Sequence, residues 1–379
     1  MKKLIISVIL VFVCVFCLTV TVFAAQGGAL EKSEPSETDA AQLCFNGVET
    51  SAEAAVLYCV NDGKVYYSNN ENKQMKNAST TKILTSLIAL EQAQVENKQV
   101  EFTQEMQAEG SSMYLKPGDV LTLRDLAAGM MICSGNDAAN AAALAVSGSF
   151  DGFAELMNRR AGELGMKNSH FVTPNGLDDP EHYSTAYDLA LCMAYAMENS
   201  EFAEITASKQ MSIDFVAPAG KTMTYSNHNR LLSSYEYCIG GKTGYTKSAG
   251  RCLVTAAEKD GLRFVCVTLN DKNDWKDHTK LYDLAFENFS LCSCDGREFF
   301  VELPVVGGAC DTVTAGCDRG YDIVLTAEQA ESVQKTVYLD PFYYAPVNEG
   351  DFLGKVVFKS NGKLIAEVPM TAMTESLKE

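Results

Sequence analysis

"NASTTKILTSLIAL", residues 77–90, sets a serine and a lysine three apart where an apolar helix begins. Positions i and i+3 share a helix face, so the Lys82 side chain can reach the Ser79 hydroxyl. A helix N-terminus adds positive potential and unpaired N–H groups around that oxygen. An ordinary helix end has the same features, with Ser79 as an N-cap and Lys82 in water. The triplet alone is cheap. Ser332/Lys335 and Ser360/Lys363 repeat it, the second across an Asn-Gly turn.

Two further segments give the first one company. "CSGNDAAN", residues 133–140, supplies the Ser134 hydroxyl and the Asn136 amide at another predicted helix start. "GGKTGYT", residues 240–246, supplies Lys242-Thr243-Gly244 just ahead of a predicted sheet strand. A cation beside a hydroxyl suits the grip on a carboxylate, and the glycine lets a substrate backbone lie along a strand edge. Each piece recurs elsewhere, Ser-x-Asn at 68–70 and Lys-Thr at 221–222. Their order and spacing carry the signal.

The surrounding chain reads as strands at both ends of a mostly helical middle. "AAVLYCV" and "KVYYS" flank Asp62-Gly63 as a hairpin, and "RCLVTAA", the turn "EKDG" and "LRFVCVTL" form another. Between them "LTLRDLAAGMMI", "NDAANAAALAVSG", "FDGFAELMNRRAGELG" and "TAYDLALCMAYAMENS" carry helical periodicity, and "TPNGLDD" is a loop. A closing helix is expected around "DHTKLYDLAFENF". The expected class is α+β, one antiparallel sheet joined from distant segments and flanked by helices. From about residue 297 short alternating segments such as "QKTVYL" and "GKVVFKS" predict a small all-β domain. The expected organisation is 1–25 signal peptide, 26–45 linker, 46–295 main domain and 296–375 C-terminal β domain.

"MKK" followed by the uncharged stretch 4–25 has the order of a secretory signal, with a cut expected after Ala24. An uncut anchor is the alternative, since about 20 apolar residues span a bilayer. Either way the bulk of the chain is expected to be exported. Without Lys2 and Lys3, 29 basic residues face 49 acidic ones, a net −20. That balance disfavours nucleic acid and a polybasic hold on anionic lipid. Eleven of the 13 cysteines lie beyond the signal, and neither "CSC" nor Cys310/Cys317 has the partners of a zinc site, so no metal or cofactor is expected. Cys133, next to Ser134, reads as a small buried side chain.

Taken together, Ser79-x-x-Lys82, Ser134-Gly135-Asn136 and Lys242-Thr243-Gly244 resemble the low-molecular-mass penicillin-binding proteins, the serine-type D-alanyl-D-alanine carboxypeptidases of peptidase family S11. "SSMYLKPGD", "FVTPNGLDD", "HYSTAYDLA", "NHNRLL" and "GGKTGYTKSAGRCLVTAA" extend the resemblance over roughly residues 50–295. The resemblance implies a penicillin-binding-protein/β-lactamase-like transpeptidase domain and removal of the terminal D-alanine from peptidoglycan stem pentapeptides. It implies Ser79 as nucleophile, Lys82 as its base and Ser134 as a proton relay. Asn136 is expected on a substrate amide, Lys242 and Thr243 on the terminal carboxylate, Gly244 beside the substrate backbone, and the N–H groups of Ser79 and Tyr245 around the oxyanion. β-Lactams are the expected inhibitors.

Two departures stand out. The arginine that many relatives place after the last hairpin is replaced by "NDKNDWKDH", with Lys276 the nearest cation. "MTAMTESLKE" is too short and polar for a membrane-binding helix, leaving any membrane association to an uncleaved N-terminus. The four histidines include none beside Ser79 in sequence, and no G-x-S-x-G surrounds it, so an imidazole-based hydrolase is disfavoured. His182 and His228 are expected near the cleft in structural roles. A D,D-endopeptidase, a β-lactamase and a non-catalytic β-lactam sensor or wall-binding protein remain as rivals.

Overall fold

The computed structural model describes residues 44–378, so the signal segment and most of the linker lie outside the described residues. The chain divides into two compact units at residue 288.

The first unit opens with the hairpin β1 (Ala54–Cys59) and β2 (Val65–Asn69), followed by a short 3-10 turn at 78–81 and α1 (Lys82–Val95). β3 (Gln99–Glu101) pairs with β4 (Val120–Thr122), which leads into α2 (Leu123–Ile132), α3 (Asn136–Ser147) and α4 (Phe150–Glu163). α5 (Ala186–Ala196) and α6 (Ser200–Ala207) precede the hairpin β5 (Gln210–Asp214) and β6 (Thr222–Ser226). After the single turn α7 (Leu231–Ser234) come β7 (Cys238–Thr246), β8 (Gly250–Lys259), β9 (Leu262–Leu269) and α8 (Asp274–Asn288).

The five long strands make an antiparallel sheet ordered β2-β1-β9-β8-β7. The N-terminal hairpin thus pairs with a strand from the far end of the unit, as the expected α+β class requires. Both faces of β8 and β9 are buried, which explains their near-continuous apolar sequence. Val254, Ala256, Val265 and Val267 face the helical core. Alternate residues meet α8, where the Tyr282 hydroxyl donates to Thr255 O at 2.7 Å and Phe264 packs on Phe286.

α1 runs through the middle of the helical layer and packs against α2, α3, α4, α5 and α6. Its first nine residues are all buried, Lys82 among them. A helix enclosed on every side needs apolar residues all round, as "ILTSLIAL" supplies. Periodicity missed the small β3/β4 and β5/β6 pairs, which are too short or too exposed to alternate cleanly. It also placed Lys242-Thr243-Gly244 ahead of a strand, whereas these residues lie inside β7.

In the second unit β10 (Phe289–Asp295) pairs with β13 (Gly320–Thr326). β11 (Phe300–Val306), β12 (Thr312–Gly316), β14 (Val333–Leu339), β15 (Tyr343–Tyr344), β16 (Phe352–Ser360) and β17 (Lys363–Ala372) form a sheet ordered β14-β16-β17-β12-β11-β15. The β16–β17 hairpin turns at Asn361-Gly362, both at positive φ, as that dipeptide favours. Its core of Leu303, Val313, Val356, Phe358, Val368 and Met370 is separate from that of the first unit. Among the described residues no helix is long and apolar enough to cross a membrane.

Candidate active site

Ser79 lies in the turn ahead of α1, half-buried, and the preceding Ala78 takes φ 49°. An alanine in the left-handed region costs of order 1–3 kcal/mol, so the surroundings must hold it there. Gly176 does part of this. It lies at φ 82°, and a Cβ on it would run into the Ala78 carbonyl, so only glycine lets the 173–179 loop close on the turn. Gly244 of β7 also lies close to the turn, where a Cβ would stand 3.0 Å from the Ser79 nitrogen.

Lys82, one turn on, is fully buried, and no carboxylate among the described residues pairs with its Nζ. Its Nζ stands 2.8 Å from Ser79 Oγ, 2.7 Å from Asn136 Oδ1 and 2.6 Å from Asn175 O. Burial and then the charge of Lys242 drive its pKa well below the ordinary lysine value. An ammonium would spend one N–H on each oxygen. The neutral amine has two N–H groups for the two carbonyls and turns its lone pair to the Ser79 hydroxyl. The arrangement can therefore present a neutral amine to that hydroxyl.

Ser134 follows α2 at φ 61°, and Asn136 opens α3. Asn136 Nδ2 donates to Glu109 O at 2.5 Å, which fixes its amide with the oxygen on Lys82. Asp137 holds the flanking loop, accepting from the amides of Met113 and Leu115 and from the Ser112 hydroxyl. Lys242 Nζ, equally buried, donates to Ser134 Oγ at 3.0 Å and to Thr243 O at 2.8 Å. Burial lowers its pKa to about 7.

β7 is the edge of the five-stranded sheet, and no strand among the described residues pairs with its outer side. Thr243 is half-buried, and its hydroxyl has no partner among the described residues. Tyr245 is 67% exposed. Thr206 of α6 clamps the strand's start, accepting from Gly241 N at 2.9 Å and donating to Gly241 O at 3.1 Å.

The structure thus brings together Ser79, Lys82, Ser134, Asn136 and Lys242, with Thr243, Gly244 and Tyr245 along the adjoining edge. Lys276 does not join them. It is exposed and lines a surface groove with Leu231, Ser234 and Trp275. The nearby Arg251 is held by Asp274 at 2.6 Å. Cys133 is buried, its thiol directed at Gly129 O at 3.2 Å, and burial pushes its pKa to about 11. All eleven described cysteines are unpaired, and no group of His, Cys, Asp or Glu among the described residues is placed to hold a metal.

Sequence reasoning missed the Asn175 carbonyl, the third contact of Lys82. A backbone acceptor leaves no trace in side-chain identity, although the loop signal "TPNG" marked where to look. His278 is structural, bridging the hydroxyls of Thr255 and Thr268 under the sheet.

An antiparallel sheet whose edge strand faces a buried Ser-x-x-Lys pair is the architecture of the penicillin-binding serine enzymes. Comparison narrows this class. The D-alanyl-D-alanine carboxypeptidase family (peptidase S11) matches residues 37–273, and the penicillin-binding protein 5 C-terminal domain matches residues 286–377. D-alanyl-D-alanine carboxypeptidase DacF of Bacillus subtilis is 32% identical over 86% of this chain and 86% of its own length. DacC of Escherichia coli is 32% identical over 90% and 88%. The crystal structure of penicillin binding protein 5 from Haemophilus influenzae is 28% identical over 87% of this chain and 98% of that one, with a TM-score of 0.65. The chain belongs to the D-alanyl-D-alanine carboxypeptidase family and is a serine-type peptidase of that activity.

Proposed function

We propose that the protein is exported and trims the terminal D-alanine from peptidoglycan stem pentapeptides through an acyl-enzyme on Ser79. Lys82 takes the Ser79 proton as Oγ attacks the carbonyl carbon of the penultimate D-alanine. The resulting oxyanion is received by the N–H groups of Ser79 and Tyr245. Lys242 and Thr243 hold the terminal carboxylate, and Asn136 with the β7 edge aligns the peptide. Ser134 passes a proton to the leaving nitrogen and is refilled with the proton that Lys82 took, so free D-alanine departs and Lys82 is neutral again. Water, deprotonated by Lys82, then attacks the ester, restoring the Ser79 hydroxyl and releasing the tetrapeptide. A penicillin, shaped like the D-Ala-D-Ala end, acylates Ser79 in the same way but has no leaving group that departs.

The observation that carries this reading is the pair of buried lysines without carboxylate partners, each on a serine hydroxyl. A structural lysine would be driven to water or to a counterion. The domain organisation that fits this reading is a catalytic part over 46–295 and a β domain over 296–375. The test is D-alanine release from a synthetic pentapeptide ending in D-Ala-D-Ala, with an L-alanine-terminated control, beside mass spectrometry after penicillin treatment. Release from the D,D substrate alone and one adduct on Ser79 support the proposal. An adduct without release means a sensor, and nitrocefin turnover exceeding D-alanine release means a β-lactamase.

A further inference from the structure

The loop 171–182 lies outside the three motifs yet touches each part of the site. Its Asn175 carbonyl accepts from Lys82, its Asn175 side chain donates to Asn140 of α3 at 2.9 Å, and Asp178 accepts from Thr246 and Ser248 at the tip of β7. Thr85 Oγ1 ties this loop to α1 by donating to Pro174 O at 2.7 Å, and a histidine ties it to the turn that presents Ser79.

His182 is 3% exposed and packs edge-on to Phe171. Its Nδ1 faces two backbone donors, Val172 N at 3.1 Å and Thr173 N at 3.2 Å. A nitrogen that accepts from two N–H groups carries no proton, so the ring proton sits on Nε2. That nitrogen lies 2.8 Å from Thr81 Oγ1. Thr81 in turn donates to Ala78 O at 2.8 Å and accepts from Asn77 Nδ2 at 2.9 Å. Each donor in the chain has one acceptor, which fixes every direction: Val172 and Thr173 amides to the ring, ring to Thr81, Thr81 to the carbonyl just before Ser79. Two residues past Thr173 is the carbonyl on Lys82.

We propose that His182 is a positioning residue, a neutral Nε2–H strut that locks the Ser79 turn to the loop carrying the Lys82 carbonyl acceptor. It touches neither Ser79 nor a substrate position, so it neither gives nor takes a proton in the reaction. Its work is to hold nucleophile and base in one frame, where a displacement of about 1 Å costs up to roughly 100-fold in rate. Burial outweighs the Asp179 and Asp178 carboxylates and lowers the ring's pKa to about 4, in keeping with a ring that stays neutral at working pH.

This inference rests on the Ser79–Lys82 reading, and the experiment keeps the two apart. Three variants are compared with the wild type: His182→Leu, which removes both ring contacts, His182→Gln, whose amide oxygen and N–H sit about as far apart as the ring nitrogens, and Thr81→Val, which removes only the hydroxyl. D-alanine release and penicillin acylation are measured per titrated active site, each well below its own Tm. The expected result is a 10–100-fold loss in kcat with KM changed less than about threefold for His182→Leu and Thr81→Val. His182→Gln should recover most of kcat while its Tm stays lowered. Wild-type rates per site in His182→Leu, or in Thr81→Val should His182→Leu fail to fold, overturn the proposal. The imidazole nitrogen shifts of the wild type test the strut without any activity: a neutral Nε2–H ring from pH 5 to 9 supports it, and an Nδ1–H ring or a midpoint above pH 6 overturns it. A wild type that releases no D-alanine and takes no penicillin sinks the Ser79 reading, and the nitrogen shifts still decide whether the strut exists.

Discussion

The same four-residue pattern, Ser-x-x-Lys, occurs in both units and does opposite things. At 79–82 it spans a 3-10 turn and the start of a buried helix, so both side chains point into one space and the lysine is buried. At 332–335 it runs from a helix end into β14, where residues three apart point to opposite faces of a sheet. There Ser332 Oγ meets Ser360 Oγ at 2.5 Å, while Lys335 goes out to Glu298 at 2.6 Å. Lys335 is the outer half of an ion pair. Burial and then a second cation lower the pKa of Lys82. Residue identity is equal in the two places, and backbone period plus desolvation separate them.

The largest effect should come from breaking the buried pair. Ser79→Ala is expected to lower D-alanine release by about 10⁵-fold or more and to abolish the penicillin adduct. Lys82→Ala leaves the hydroxyl without a base and should cost roughly 10³–10⁴-fold in acylation rate. The double variant should be little worse than Ser79→Ala, because the two act as one unit. Stopped-flow acylation and quantified adduct formation measure all three. Equal acylation in Lys82→Ala would remove the argument for the lone pair aimed at Ser79.

A subtler change tests whether the second cation matters to the first. Lys82 must be neutral to act as base, so the rate rises with pH through its pKa. Burial lowers that pKa most, and the Lys242 charge lowers it further. Lys242→Met removes this repulsion, which raises the Lys82 pKa and moves the acid limb of the rate profile to higher pH. KM for the peptide should rise about 10–100-fold as a charged hydrogen bond to its carboxylate is lost. The wild type should show an alkaline limb in kcat/KM that the variant lacks, because Lys242 itself loses its proton near pH 7. Stability should move the other way. With a folded pKa near 7 and an unfolded one near 10.5, Lys242 costs nothing above pH 10.5 and most below pH 7. Lys242→Met should then raise Tm at pH 6, by roughly 2–4 °C for each kcal/mol regained.

Much of this was legible in the chain itself. Asn361-Gly362 announced a hairpin because few other dipeptides accept two positive φ values in a row, and Asp62-Gly63 announced another through its glycine, which alone of the pair takes positive φ. β8 and β9 announced a buried sheet by their unbroken apolar runs. The meeting of Ser79, Lys82, Ser134, Asn136 and Lys242 could be read only through the resemblance that their three segments, in that order, bear to the penicillin-binding serine enzymes. What stayed hidden depends on backbone direction. Nothing in "TPNG" says which carbonyl will face Lys82, and nothing in "NAST" says that Ala78 will turn left-handed. The role of His182 was equally closed, because a ring between two N–H donors and a threonine is defined by segments 101 residues apart.

The smallest expected effect is the sharpest check on the comparison itself. If pattern alone made the chemistry, Ser332 would compete for penicillin, and its loss would lower the adduct count. Ser332→Ala and Lys335→Ala should leave adduct stoichiometry at one and D-alanine release within about twofold. The ion pair lies on an exposed edge, where such contacts are worth about 0–1 kcal/mol. Losing Ser332 Oγ strands little, since Ser360 is left with one hydroxyl that can rotate to another acceptor. Differential scanning calorimetry should therefore find Tm lowered by no more than about 2–4 °C in either variant. A second adduct on Ser332 in the wild type would show that a strand-borne serine reacts without a desolvated lysine beside it, and burial would then no longer distinguish the two sites.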